Sequence, residues 1–203
     1  ETIYHAALEQ SCDLAEQRHA RITAGDLSCC NEFDVGGSQR FLGAYSSFEG
    51  SPASKGALQF DLWGVQPSSR YDWDGLKARI AKFGLRNSQS VALMPTASTS
   101  QIMGYTECFE PITSNIAQRK TIAGNFITVN KYLVDDLIAL GLWSEDMKNR
   151  IIMEDGSIQR IAEIPDEIKA LYKTVWDLSQ RTIIDLAADR GPFVCQSQSM
   201  NLF

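Results

Sequence analysis

Apolar residues recur every three or four positions in several stretches of the chain, the spacing of an amphipathic helix. The first such stretch covers residues 1–18 and is expected to place one set of side chains on the apolar side: Ile3, Ala7, Leu8, Ser11, Leu14 and Ala15. A second begins after Asp72, which can cap a helix that Gly84 ends. Its apolar positions are Trp73, Leu76, Ile80 and Phe83.

The second half of the chain predicts three more helices. Asn130 can cap one that ends at Gly141, and a short helix is expected after Ser144. The longest is predicted to start near residue 165 and to keep a nearly continuous apolar face as far as Leu186. The sequence Arg190-Gly191-Pro192 then supplies a basic last turn, a C′ glycine and a breaker.

Strand signals are fewer. The apolar run 91–94, which Pro95 stops, predicts a strand buried on both faces of an α/β sheet or barrel. Residues 126–129 predict another strand or an extended segment, and Asp155-Gly156 indicates a turn, consistent with a small hairpin. Residues 193–201 look extended but carry Gln, Ser and Asn, which is compatible with either the lining of a substrate cavity or an exposed edge strand.

Composition and charge narrow the function classes. The chain has 203 residues, 44% of them hydrophobic and 22% charged, as in ordinary folded domains. Its net charge of −6 and the absence of a basic block argue against non-specific nucleic-acid binding. Since no apolar run approaches membrane-spanning length and no initiator Met is present, we expect a part of a larger protein that does not enter a membrane.

Cysteine and histidine usage argues against a metal centre or a disulfide framework. The five cysteines show no C-x-x-C spacing, and the chain has only two histidines. The adjacent pair Cys29-Cys30 would form a strained ring if oxidised, so we expect reduced thiols in a cytosolic setting. Glu107 and Glu110 flank Cys108, and adjacent negative charge makes a thiol a poorer nucleophile, which favours a packed or surface cysteine.

The segment after Pro95 has the clearest chemical mechanism. It is rich in hydroxyl residues, and it enters a possible helix near Gln101. Unpaired N–H groups at a helix start, together with these hydroxyls, can hold a phosphate without Lys or Arg. In the alternative interpretation, Thr96 or Ser98 simply caps a helix. The segment is not a Walker loop, because the Gly-x-x-x-x-Gly-Lys pattern is missing.

Residues 73–102 resemble the signature of the large subunit of class I ribonucleoside-diphosphate reductase. The stretch reads WDGLKARIAKFGLRNSQSVALMP and continues with TASTSQI. Other segments resemble the eukaryotic-type enzyme in the same order along the chain: ETIYHAALEQSCDLA, FEGSPASKGALQFDLW, EPITSNI, LYKTVW and QSQSMN. The resemblance therefore covers nearly the whole chain.

This resemblance implies a fold, an activity and a site. The fold is α/β, a helix-rich fragment from the later portion of a ten-stranded α/β barrel domain covering residues 1–203. The activity is reduction of ribonucleoside diphosphates to deoxyribonucleoside diphosphates by thiyl-radical chemistry. The family's substrate-phosphate loop falls on Thr96, Ala97, Ser98 and Thr99, and residues 198–201 would lie on a late barrel strand facing the site.

The resemblance also implies partners outside this chain. These are a radical-generating small subunit, a dithiol reductant, ATP and dNTP effectors, and a large-subunit homodimer or higher oligomer in the cytoplasm. The family's radical cysteine, its partner cysteines and its radical-transfer tyrosines have no counterpart here, so we assign no catalytic residue, metal or cofactor to the chain. We expect the fragment alone to be inactive.

Two further expectations stay open at this point. The stretch at about 19–41 looks like an insertion relative to related chains. A different class of function is a non-catalytic helical interaction module that keeps the same fold and uses that loop for a partner.

Overall fold

The computed structural model describes residues 1–30, 40–122 and 124–203. They divide into two compact units: Glu1–Met94 with Leu186–Ser199, and Pro95–Asp185 with Met200–Phe203. Within the described ranges, no helix is long and apolar enough to cross a membrane.

The first unit is built on two long helices. These are α1 (Thr2–Thr23) and α3 (Trp73–Phe83), with the single turn α2 (Gln59–Leu62) between them in the chain. Short 3₁₀ helices cover Leu27–Cys29, Ala53–Lys55 and Gly191–Phe193. The core of the unit is rich in aromatic side chains and includes Tyr4, Leu8, Cys12, Phe41, Phe48, Leu58, Phe60, Trp73, Leu76, Ile80 and Leu85.

Local signals predicted both long helices, but the buried face of α1 differs from the expected one. Ile3 and Leu14 are 75% and 42% exposed, whereas Tyr4 and Cys12 are buried. Tyr4 packs against the ring of Trp73 with a centroid distance of 6.2 Å. Leu8, Ser11 and Ala15 of the expected face are buried, so the observed face overlaps the predicted one and shifts toward Tyr4 and Cys12.

Residues 84–87, which follow α3, anchor the segment that continues toward Pro95. Gly84 has φ +81°, and a Cβ at this position would lie 2.6 Å from the Cβ of Ala44. The backbone N–H groups of Arg86 and Asn87 donate to the carbonyl and the hydroxyl of Ser11, at 3.0 and 2.9 Å. The Gly-Leu-Arg-Asn part of the signature is therefore structural here, because it binds the end of α3 to the middle of α1.

The second unit combines short helices with one hairpin. Its helices are α4 (Thr99–Met103), α5 (Lys131–Ala139), α6 (Glu145–Met153) and α7 (Asp166–Leu171), and α8 (Gln180–Arg190) begins in it. Strands β1 (Ile116–Thr121) and β2 (Gly124–Val129) pair antiparallel, with Ile116 opposite Val129. The core is largely aliphatic: Ile116, Leu133, Leu137, Met147, Ile151, Ile158, Ile161 and Ile164.

Several predicted elements of this unit are confirmed. The segment 126–129 lies in β2, and α5 follows Asn130. Ser144 caps α6 by accepting a hydrogen bond from the N–H of Met147 at 3.0 Å. The predicted hairpin at Asp155-Gly156 is wrong, because residues 151–153 belong to α6 and these two residues form the turn that ends it.

The predicted long helix from residue 165 to Leu186 is also wrong. It is divided into α7, a 3₁₀ helix at Val175–Asp177 and α8. Thr174 is fully buried at the break, and the N–H of Val175 donates to the carbonyl of Ile112 at 2.8 Å. Gly191 does not act as a left-handed C′ residue; it lies in a 3₁₀ helix, where a Cβ would meet the Trp63 ring at 2.5 Å.

The strands predicted at 91–94 and 193–201 do not form. Among the described residues, the only sheet is the β1–β2 pair. Residues 91–94 are half-buried or exposed, and one backbone hydrogen bond, from Cys195 N–H to Val91 O at 2.9 Å, joins the two segments. The expected insertion at about 19–41 stays a prediction: α1 covers its first residues, and residues 31–39 lie outside the described ranges.

Candidate functional site

The hydroxyl-rich segment forms an exposed turn in front of a short helix. Thr96, Ala97, Ser98 and Thr99 are all exposed, and Thr99 opens α4, which ends after one turn at Gly104. Thr96 has φ +50°, a left-handed conformation that is strained for a β-branched residue. The predicted site residues are thus brought together on one loop.

The loop presents a set of unused donors. The backbone N–H groups of Ala97, Ser98 and Thr99 make no hydrogen bond with any described residue, and the same holds for the hydroxyls of Ser98 and Thr99. Ser98 precedes α4 but does not cap it with its side chain. Ser98 is thus the N-cap residue of α4 by position, without the side-chain hydrogen bond of an ordinary cap, and both interpretations of the segment stay predictions.

Thr96 differs from its neighbours. Its hydroxyl accepts a hydrogen bond from the N–H of Cys108 at 3.2 Å, and the same N–H donates to the carbonyl of Pro95 at 3.0 Å. The Thr96 carbonyl accepts from the N–H of Ser100, which is buried. Of the four predicted site residues, Thr96 is the one whose side chain shapes the loop.

The polar segment predicted to line a cavity is divided between the two units. Gln198 lies in the first unit, where its amide donates to the carbonyl of Ala187 at 2.8 Å. Asn201 lies in the second unit and binds the carboxylate of Glu110. The predicted strand is absent. Gln198 and Asn201 instead lie in irregular backbone, and each is held by its own side-chain hydrogen bonds.

Three of the five cysteines are either buried or accept a hydrogen bond from a backbone N–H group. Cys12 is fully buried, and its burial raises the pKa of the thiol to about 11. The sulfur atoms of Cys108 and Cys195 accept hydrogen bonds from the N–H groups of Glu110 and Ser90, each at 3.3 Å. Within the described part of the chain, no three His, Cys, Asp or Glu side chains come together as a metal site.

Sequence reasoning missed the residues that hold the loop. The sequence draws attention only to the thiol of Cys108, whereas the backbone N–H of this residue makes the contact with the loop. Glu110 and Asn201 lie in the motifs EPITSNI and QSQSMN, but 91 residues separate them and nothing in the sequence indicates that they meet.

The family model described as "Ribonucleotide reductase, barrel domain" matches residues 1–203. The chain therefore belongs to the ribonucleotide reductase barrel-domain family. This match confirms the α/β barrel class and the resemblance that the signature residues carry. The chain itself is a helix-rich part with one small sheet among its described residues.

Proteins similar to this chain include large chains of one enzyme from several organisms. The chain is 54% identical over 202 residues to the ribonucleoside-diphosphate reductase large chain of Schizosaccharomyces pombe, covering 100% of this chain and 22% of the relative. It is 51% identical over 203 residues to the ribonucleoside-diphosphate reductase large chain 2 of Saccharomyces cerevisiae, and the match covers 100% of this chain and 21% of that relative. A solved structure, the Actinobacillus ureae class Id ribonucleotide reductase alpha subunit, is 28% identical with a TM-score of 0.48, over 63% of this chain and 24% of that chain. The chain thus spans about a fifth of the length of the large chains it matches.

Proposed function

We propose that the protein containing this chain is the large subunit of a ribonucleoside-diphosphate reductase, which reduces ribonucleoside diphosphates to deoxyribonucleoside diphosphates. Within it, Thr96, Ala97, Ser98 and Thr99 bind the phosphate of the substrate. The observation that carries the proposal is the family match over residues 1–203, together with relatives that bear this enzyme's name.

The donors on the loop support the phosphate assignment. Three successive N–H groups and two hydroxyls are available, and each charge-assisted hydrogen bond to a phosphate contributes about 1.5–3 kcal/mol before costs. Because α4 has only five residues, its macrodipole is small. The directed donors of Ala97, Ser98 and Thr99 therefore carry the binding, and Thr96 holds the backbone that presents them.

The rest of the enzyme follows from the same relationship and is part of the proposal. It comprises a radical-generating small subunit, a dithiol reductant as the source of electrons, ATP and dNTP effectors, a homodimer or higher oligomer, and a cytoplasmic location. None of the five cysteines of this chain is assigned a catalytic role, since none of them matches the family's radical cysteine or its partner cysteines, and Cys12 is also buried. We expect the 203-residue chain alone to be inactive.

The experiment is steady-state kinetics of the large subunit that carries this sequence, assayed with its small subunit. The double variant Ser98→Ala/Thr99→Ala is expected to raise KM for the diphosphate substrate about tenfold or more, because it removes two hydroxyl donors. Ser179→Ala/Thr182→Ala is the matched control, since it removes two exposed hydroxyls of the same unit, and its kinetics should equal those of the wild type. Unchanged kinetics in Ser98→Ala/Thr99→Ala would remove the phosphate assignment.

A further inference from the structure

The phosphate loop is held from one side by a second turn of the chain. The N–H of Cys108 donates to two acceptors at the start of the loop, Pro95 O at 3.0 Å and Thr96 Oγ1 at 3.2 Å. Cys108 itself has φ +53° and Thr96 has φ +50°. Left-handed backbone in a non-glycine residue persists only where the surrounding contacts hold it. The position of Cys108 therefore determines where the loop begins.

Glu110 fixes the Cys108 turn through its backbone. Its N–H donates to the sulfur of Cys108 at 3.3 Å, and Pro111 follows it, which restricts Glu110 to extended conformations. The N–H···S hydrogen bond and the restricted backbone of Glu110 together stabilise the Cys108 turn. A displacement of Glu110 would be transmitted to the Cys108 N–H.

The side chain of Glu110 is held by a residue distant in sequence. The backbone N–H of Asn201 donates to Glu110 Oε1 at 2.9 Å, and its side-chain amide donates to Oε2 at 2.7 Å. A carboxylate with both oxygens engaged in this way has one defined orientation. All of these residues belong to the second unit. Asn201 is therefore connected to the phosphate loop through Glu110 and the Cys108 turn.

We propose that Glu110 and Asn201 are positioning residues for substrate phosphate, acting through the Cys108 turn on the loop of Thr96, Ala97, Ser98 and Thr99. They do not touch the substrate. Their effect is to hold the loop amides in the orientation that binds phosphate. This inference rests on the proposed phosphate site and adds the residues that keep its geometry.

The test uses the large subunit that carries this sequence, assayed with its small subunit and a ribonucleoside diphosphate. Glu110→Ala is expected to raise KM about two- to tenfold, with kcat within about twofold of the wild type. Asn201→Ala removes only the side-chain donor and should have a smaller effect on KM. Since the two residues act as one unit, the double variant should match Glu110→Ala instead of adding the two effects.

Two variants make the result specific. Glu110→Gln keeps an oxygen that can accept one of the two bonds, so its KM should lie between those of the wild type and Glu110→Ala. Glu163→Ala is the matched control, because the Glu163 carboxylate also accepts two hydrogen bonds, from Arg150 at 2.7 Å each, away from the loop. Its KM should be unchanged. Glu110→Gln also serves as the test variant if Glu110→Ala does not fold.

The outcomes separate the two proposals. If Ser98→Ala/Thr99→Ala raises KM and neither Glu110 variant does, the positioning role is wrong and the phosphate site stands. If none of these variants changes KM, the phosphate site itself is wrong. A fall in kcat at unchanged KM in the Glu110 variants, or an equal effect in Glu163→Ala, would overturn the positioning role as well.

Discussion

The carboxylate of Asp177 accepts hydrogen bonds from both the backbone N–H and the hydroxyl of Thr174, at 2.8 and 2.7 Å. The hydroxyl of Ser157 donates to the same carboxylate at 3.0 Å. Thr174 is fully buried, so Asp177 satisfies polar groups that would otherwise have no partner. This contact fixes the chain between α7 and α8.

Asp177→Ala should therefore destabilise the break between these helices. It leaves the buried N–H and hydroxyl of Thr174 unpaired, at a cost of about 1–3 kcal/mol. Hydrogen exchange measured by mass spectrometry should show faster exchange at residues 172–178. Asp185→Ala is the control, since that carboxylate pairs with the exposed Arg181; equal exchange in both variants would contradict the assigned role of Asp177.

The same contact shows what a residue pattern can and cannot predict. The caps at Asp72 and Ser144 were predictable because the hydrogen bonds they make are to residues three positions away. The break at Thr174 depends on Ser157 and Ile112, which are distant in sequence. The spacing of apolar residues over 165–186 predicts one continuous helix and does not indicate these distant contacts.

In the candidate site, too, local features could be predicted from the sequence and tertiary contacts could not. Hydroxyl residues after Pro95 predict a phosphate-binding loop from local sequence and resemblance, and the structure confirms only that they lie in an exposed turn before α4. The strand predicted before it did not form, because burial of residues 91–94 requires neighbouring strands that a pattern cannot show. The contacts of Cys108 and Glu110 with the rest of the site are likewise tertiary and were not predictable.

Gly84→Ala is expected to destabilise the first unit. A Cβ at this position would lie 2.6 Å from the Cβ of Ala44, and the residue keeps φ +81°. We expect a loss of about 1–3 kcal/mol, measured as faster hydrogen exchange in α3 and the residues after it. Gly64→Ala separates strain from steric overlap, since Gly64 has φ +66° with open space around it. Equal effects of the two substitutions would show that the overlap with Ala44 is unimportant.

Cys12 should be the least reactive thiol of the chain. Burial raises its pKa from 9.0 to about 11, so the folded state keeps the proton after an unfolded chain has lost it. The stabilisation from the neutral thiol is complete below pH 9 and decreases as the pH rises toward 11. Iodoacetamide at about pH 8 should modify Cys29 and Cys30 before Cys12. Modification of Cys12 at the rate of the denatured chain would contradict this burial.

The isolated 203-residue chain should associate or unfold readily. It exposes many large apolar side chains, among them Ile122, Phe126 and Ile127 on the β1–β2 hairpin. Light scattering after size exclusion should give a mass above 22.6 kDa or a broad distribution. A uniform monomer of that mass with one cooperative unfolding transition would show that the chain is stable alone.

The most direct test of the central claim is a crystal structure of the large subunit carrying this sequence with a ribonucleoside diphosphate bound. We predict phosphate oxygens at hydrogen-bond distance, about 2.7–3.2 Å, from the backbone nitrogens of Ala97, Ser98 and Thr99 and from the hydroxyls of the last two. The Thr96 hydroxyl should still accept from the Cys108 N–H. A diphosphate bound elsewhere, with these donors still facing solvent, would contradict the account.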